Sequence, residues 1–429
     1  MTRRNVASWA TVIALVIGGA FCVAAVSYSS ASPITFVRTA SSTPAREIVR
    51  QIVTHVPTPS EVHAIYMTQC AVGTPSLRNA LVKLVDSTDL NTIIIDIRDY
   101  TGGIAFPTDD PLLKPMVSSK CGAKDMKEFV ETLHEKNIYV IGRITTFQNP
   151  LYTKMHPEQA VQKKCGPSTP VGTCGVWKDH KGLAFVDVGA KPYWETVVRL
   201  GKVAYEDIGF DELNFDYIRF PSDGPMAEAV YSFDAGKSKS EALEEFFKYL
   251  HDNLSPSGVV MSADLFGMTA TNYDDLNIGQ VLERALPYFD YIDPMVYPSH
   301  YPSGFNGYKN VNEHPYDIVH FSLSHAVERT IATSTEIGSL AYTRITSTSS
   351  GQVGTSTPAT YEKPAYAASK IRPWLQSFDY PVTYTSAMVA AQIKATNDAG
   401  LNSWLFWDPA NKYRSLREVL NSRASKAGE

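Results

Sequence analysis

The segment Gly209–Pro221, GFDELNFDYIRFP, sets acidic and amide side chains into an otherwise apolar run. Successive side chains of an extended strand point to opposite faces. Asn214 and Asp216 therefore share one face, and Asp211 falls on the other or at the strand's beginning. A carboxyl ending a buried strand is costly unless it is paired, solvated or used. The chain repeats the arrangement elsewhere. Asp96, Arg98 and Asp99 close IIIDIRDY, Arg143 sits in IYVIGRITTF, and Asp264 in VVMSADLFG. Asp293 and Tyr297 lie in DYIDPMVYP, Gln376 in RPWLQSF, Asp408 beside Trp407 in NSWLFWD, and Arg219 beyond Asp216. So many charged groups at the ends of separate strands point to one shared site. Glycoside hydrolysis fits, because it needs two carboxyls flanking the scissile bond, one as acid and one as nucleophile or base. Asp216 is the expected nucleophile and Asp264 the expected acid, with Asp293 the next candidate. The competing account has Asp216 merely paired with Arg98 or Arg143.

The expected substrate contacts are Asp96, Arg98, Arg143, Asn214, Tyr297, His300, Trp374, Gln376, Trp407 and Asp408. Trp374, Trp407, Tyr297, Tyr301 and His300 would line a sugar-stacking cleft, although any one of them alone reads equally as packing. Arg98 and Arg143 could grip a phosphate or uronate. The segment YPSHY is too rich in Pro, Ser and Tyr for a plain strand and reads as a shaped loop. His300 has no second histidine at ligand spacing, so no metal is expected. The chain carries no GxSxG, HExxH or Walker motif, and no Gly-rich dinucleotide fingerprint follows its first strand. No cofactor is expected.

These residues need elements to hold them. From Val62 onward, short β-branched or aromatic runs alternate with segments of helical period, the pattern of parallel α/β architecture. The runs 62–67, 92–100, 138–147, 210–220, 259–267, 290–298, 372–378 and 402–408 read as strands. The helices between them are SLRNALVKLVD, DMKEFVETLHEK, YWETVVRLGKVAYEDI, ALEEFFKYLHDNL, IGQVLERALPYF, YDIVHFSLSHAVERTIA and SAMVAAQIKATNDAG. A closed (β/α)8 TIM barrel is the economical solution, since closure removes both sheet edges and gathers the strand ends at one mouth. Two insertions interrupt it, at 148–181 and 343–364. The first lies on the side where active-site loops belong.

The N-terminus suggests where this barrel works. Arg3 and Arg4 precede an uncharged apolar run from Ala10 to Val26, followed by SYSSAS. That order retains the basic end in the cytoplasm and sends the rest across a membrane, as an uncleaved signal anchor or a cleaved signal peptide. The expected organisation is a signal or anchor over 1–31, a polar linker over 32–60, the barrel over 61–415 and a tail over 416–429. Cys22 lies in the apolar run. The other four cysteines suggest two disulfides in an exported domain, Cys165 with Cys174 and Cys70 with Cys121. A net charge of -5 and a pI near 6.1 leave no basic stripe for nucleic acid. The expected partners are a polysaccharide or glycan and, through the N-terminal segment, a membrane.

Taken together, IIIDIRD, GFDELNFDYIRFP, DYIDPMVYPSHY, RPWLQSF and LNSWLFWDP resemble a bacterial family of glycoside-hydrolase barrels classed as a domain of unknown function. The resemblance covers about residues 62–414. It implies a TIM barrel distantly related to amylase-type glycosidases, with the fourth-strand aspartate, Asp216, as nucleophile. Family-18 chitinases are similar at the same strand, with DGxDxDxE. Here Asp211 and Asp216 match, but Asn214 replaces the middle acid and Ile218 stands where the catalytic Glu belongs, so substrate-assisted chitin cleavage is not expected. The leading expectation is an extracytoplasmic glycosidase acting on an envelope or extracellular polysaccharide. Its rivals are a barrel that binds glycan without cutting it, and a structural scaffold whose strand-end charges are neutralised by Arg98, Arg143 and Arg219.

Overall fold

The structure, a computed structural model, describes residues 53–166, 174–345 and 359–427. Eight strands close into an all-parallel barrel in chain order: β1 (His63–Met67), β2 (Thr92–Arg98), β3 (Tyr139–Thr145), β4 (Glu212–Asp216), β5 (Val260–Phe266), β6 (Tyr291–Met295), β7 (Trp374–Gln376) and β8 (Trp404–Trp407). Pairing of β1 with β8, Ile65 opposite Phe406, completes the ring. After the strands come α1 (Pro75–Asp86), α2 (Met126–Glu135), α3 (Lys191–Lys202), α4 (Lys239–Leu254), α5 (Leu282–Ala285), α6 (Pro315–Ile331), α7 (Ser386–Asp398) and α8 (Arg414–Ala427). The expected (β/α)8 architecture is present.

Side-chain alternation splits the apolar residues into two bodies. Ile93, Ile95 and Ile97 of β2 face outward into the layer beneath the helices, whereas Ile94 joins Ala64, Tyr66, Tyr139, Ile141, Trp374 and Leu405 inside the barrel. The helices supply the outer layer through one apolar stripe each. In α4, Leu243, Phe246, Phe247, Leu250 and Leu254 are buried at spacings of three and four. A capping box starts that helix: Ser238 Oγ accepts from Glu241 N, and Ser238 N donates to Glu241 Oε2. After α3 comes a π-helical turn, Val203–Ile208, which ends at Gly209 with φ 104°. That left-handed glycine turns the chain straight into β4 and so aims Asp216 at the mouth.

Several boundaries differ from expectation. The segment 416–429, expected as a tail, supplies most of α8, which buries Leu416, Val419 and Leu420. The last eight of the residues expected to form a linker are docked. Val56 N donates to Asp211 Oδ1 at 2.7 Å, and Thr58 Oγ1 lies 3.0 Å from Tyr139 Oη. Expected helix IGQVLERALPYF is reduced to the single turn α5, because Leu286–Pro287 stops it and Gln280 and Glu283 are committed to buried partners. Cys70–Cys121 and Cys165–Cys174 are both disulfides, as expected.

Within the first insertion, Gln162–Lys163 pairs antiparallel with Ala229–Val230, tying the loop after β3 to the loop after β4. The ends of the second form a small sheet from Ser334–Thr335, Thr343–Arg344 and Tyr361–Glu362. Residues 346–358 of that insertion, residues 167–173 of the first, Cys22 and the apolar N-terminal run lie outside the described residues. Among the described residues, no helix is long and apolar enough to cross a membrane.

Candidate active site

Inward-facing polar residues stack in tiers inside the barrel. In the lower tier Arg372, just before β7, donates Nη1 to Glu212 Oε2 at 3.1 Å and Nε to Asp293 Oδ1 at 3.2 Å. Its Nη2 bonds both Glu212 and Asp293. Tyr139 Oη and Ser262 Oγ donate to the remaining Glu212 positions, at 3.0 and 2.6 Å. All three charged residues are sealed from solvent. Burial pushes Asp293 up to about 6 against the pull of Arg372. Asp293 therefore sits beneath the mouth as part of a structural ion network.

Above it, Asn214 links the tiers. Its Nδ2 reaches Ser262 Oγ at 3.0 Å, Asp264 Oδ1 at 2.8 Å and Asp293 Oδ2 at 3.2 Å. Arg143 organises the upper tier. Its Nη1 donates to Asp96 Oδ1 at 2.5 Å, its Nη2 to Asp216 Oδ2, and its Nε lies 3.7 Å from Asp264 Oδ2. Burial opposes the Arg143 charge, but Asp216 and Asp96 hold it well above the usual arginine range. Tyr66 Oη donates to the other Asp96 oxygen, and the Tyr66 ring stacks on Trp407 at 3.9 Å. Burial raises Asp96 to about 6 although Arg143 opposes it.

Asp216 accepts at both oxygens, from Arg143 and from its neighbour's amide, Tyr217 N, at 2.5 Å. Tyr217 adopts φ 49°, a left-handed conformation that is uncommon for a non-glycine residue and typical of functional sites. Asp264 accepts from Trp374 Nε1 at 2.7 Å and from Asn214, both at Oδ1. Burial, then the charges of Asp216 and Asp293, raise Asp264 well above the usual carboxyl range, with Arg143 opposing. The two adjacent strand ends thus carry carboxyls in contrasting surroundings, around one guanidinium.

Asp216 and Asp264 line a cavity of about 410 Å³, within the size range of small-molecule sites. Arg143, Tyr297, His300, Trp374 and Trp407 line it too, together with Tyr301. Gly267 after β5 makes room for that wall, because a Cβ there would lie 2.5 Å from Tyr301 Oη and 2.4 Å from Met295 O. Burial lowers His300 and raises Tyr297. The first insertion contributes Gln148, Asp179 and Lys181 to the lining.

Other expected contacts lie outside the cavity lining. Asp293, Asp96 and Asn214 lie behind it in the tiers described above. Gln376 is fully buried, donating Nε2 to Phe378 O and Tyr380 O and accepting from Ser299 N, so it ties two mouth loops together. Asp408 accepts from the amides of Ala410, Lys412 and Tyr413 and shapes the turn after β8. Arg98 is fully buried, with Nε on Thr145 O at 2.9 Å and its guanidinium over Tyr193. Sequence reasoning missed Tyr66, Tyr217, Glu212 and Arg372 as parts of this assembly. Strand alternation would have exposed Glu212 and Tyr66. Among the described residues, no group of three or more His, Cys, Asp or Glu side chains could hold a metal ion.

A family model described as "Putative glycosyl hydrolase domain" matches residues 64–413. No curated protein matches in sequence. Among solved structures, a hypothetical protein from Ruminiclostridium thermocellum is 30% identical over 50% of this chain and 98% of its own, at a TM-score of 0.41. The PgaB (BpsB) glycoside hydrolase domain from Bordetella bronchiseptica is 12% identical, covering 84% of this chain and 99% of its own, with a TM-score of 0.51. An α-L-fucosidase isoenzyme 2 from Paenibacillus thiaminolyticus is 8% identical, covering 86% and 50%, with a TM-score of 0.54. At these identities the last two likenesses establish a shared barrel fold.

Proposed function

This chain belongs to the family described as a putative glycosyl hydrolase domain, and from that premise we propose that it is a glycosidase using Asp264 as acid and Asp216 as nucleophile. The observation that carries this reading is the placement of both carboxyls on one cavity wall in opposite surroundings. Asp264 is held toward its protonated form by burial and by its acidic neighbours, while Asp216 accepts at both oxygens, from a guanidinium and from an amide. In the first step Asp264 gives its proton to the glycosidic oxygen as the bond to the anomeric carbon breaks, and Asp216 forms an ester there. In the second, ionised Asp264 takes a proton from water, whose oxygen displaces Asp216. Both carboxyls approach Arg143, at Nη2 and Nε, and the retaining route, which uses a pair about 5 Å apart, is the one proposed for them. Trp374, Trp407 and Tyr297 would offer their faces or edges to sugar rings.

The substrate we infer is an envelope or extracellular polysaccharide, reached outside the cytoplasm by a protein held or exported through residues 1–31. Two disulfides support an oxidising compartment. The alternative of a barrel that binds glycan without cutting it draws on the full pairing of Asp216 with Arg143.

The deciding experiment measures reducing ends released from a panel of envelope and exopolysaccharides by the full chain in detergent, beside Asp216→Asn. Release by the parent, lost in a folded variant, is the expected result. Glycan binding by both proteins with no cleavage by either would replace this reading with the binding one.

A further inference from the structure

Four other arginines are deeply buried among the described residues. Arg143 meets Asp96 and Asp216, Arg329 meets Glu283, and Arg372 meets Glu212 and Asp293. Arg98 lacks a carboxylate partner but is sealed from solvent and away from the cavity. Arg219 differs from all four. It is only 6% exposed, yet it lines the cavity three residues beyond Asp216. Its one hydrogen bond within the described residues runs from Nη1 to Phe220 O, at 2.9 Å, and no acidic side chain there lies within ion-pair distance. Instead the guanidinium rests over the rings of Tyr217 at 4.7 Å, Phe266 at 4.8 Å and Phe185 at 6.0 Å.

Ring faces replace part of the hydration a buried cation loses, but they leave the N–H edge of the fork unused. Besides Asp216 and Asp264, two acids line the same cavity, and Asp216, Asp223 and Asp179 favour the Arg219 charge from beyond ion-pair distance. Asp179 has one oxygen committed to the amides of Lys181 and Leu183, and Asp223 is exposed. Lys181, also exposed, adds a second cation to the same lining. A sugar hydroxyl at Arg219 would satisfy an N–H but leave the cation with no counter-charge in direct contact once water is displaced. A planar carboxylate satisfies both, because it matches the guanidinium fork.

We propose that the sugar bound beside Asp216 carries a carboxylate, and that Arg219 is the residue that selects this acidic sugar. The proposal rests on the cavity being a glycan site, but not on hydrolysis. It assigns to Arg219 a recognition role distinct from that of Arg143, whose Nη1 and Nη2 donate to Asp96 and Asp216.

The test titrates the full chain, in detergent, with oligogalacturonate, oligomannuronate and hyaluronan fragments and with their carboxyl-reduced counterparts. Calorimetry reads the affinities, and Asp216→Asn is used wherever turnover interferes. At least one uronide should bind, losing tenfold or more in affinity on carboxyl reduction. Arg219→Gln should lose a similar factor for the acidic ligand only, and Arg219→Lys should retain part of it. The carboxyl-reduced ligands keep the test valid if Arg219→Gln fails to fold. Equal binding of acidic and reduced forms overturns the proposal, as does failure of every uronide to bind, or tighter binding of sulfated or phosphorylated neutral oligosaccharides. Uronide binding without cleavage of any glycan removes the glycosidase reading and keeps this one. Cleavage of neutral glycans with no preference for acidic ones does the reverse.

Discussion

Asp264→Asn separates the proposed chemistry from the architecture that surrounds it. The carboxamide keeps the shape of the side chain, and its oxygen can accept the same bonds from Trp374 at 2.7 Å and Asn214 at 2.8 Å. Folding should therefore change by less than about 1.5 kcal/mol at a pH below the ordinary carboxyl range, where both chains carry an uncharged side chain at this position. What is lost is the proton. General acid catalysis contributes about 10²–10⁴-fold, or roughly 3–5 kcal/mol of barrier. That factor should appear in kcat/KM for alkyl glycosides and largely vanish for dinitrophenyl glycosides, whose leaving groups need no protonation. The parent's rate should fall as pH rises through the raised pKa of Asp264, and the variant should lose that alkaline limb. Stability adds an independent sign. A carboxyl raised in the folded state costs stability as pH climbs from its ordinary value to the raised one, because ionising it in place is unfavourable. The variant carries no such loss, so its stability should gain on the parent's as pH increases. An alkaline limb kept in the variant, or one uniform loss across all leaving groups, would refute the assignment of Asp264 as the acid.

Two further perturbations test what holds the site. Arg143→Met leaves Asp96 and Asp216 without their shared cation and should cost about 3–5 kcal/mol in urea unfolding at pH 8. Arg143 lowers Asp96, which stands at about 6, so its removal raises Asp96 further and the cost should shrink at pH 5, where that carboxyl is protonated. A cost below about 1 kcal/mol, or one unaffected by pH, would mean the ion pairs do not hold the upper tier. Removing Cys70–Cys121, whose cysteines are 51 residues apart, should cost about 4 kcal/mol on the loop-entropy argument. Removing Cys165–Cys174, with a separation of 9, should cost about 2.5 kcal/mol, and thermal melts of the two double-alanine variants should rank in that order.

The fold was legible because its signals are local: each strand shows its own β-branched run, and each helix its own period. The site was only partly legible, and the gaps have identifiable causes. Alternation in ELNFD placed Asn214 and Asp216 inward and should have placed Glu212 with them, but its partner Arg372 lies 160 residues away. That pairing turns Asp293 from a catalytic candidate into a member of a buried network, and nothing near Asp293 in sequence announces it. Arg98 shows a different failure. Counted by twos from Asp96 it should face inward, but the register with β3 shifts between Asp96 and Arg98, and the guanidinium turns to Thr145 O and Tyr193 instead. Asp408 erred the other way, since the turn chemistry of DPANKY already offered three nearby amides to its carboxylate. Arg219 was visible as a charge beyond Asp216, but its isolation was not. A missing partner is a property of the folded neighbourhood, and in this barrel that absence is what sets Arg219 apart from the buried arginines that hold the tiers together.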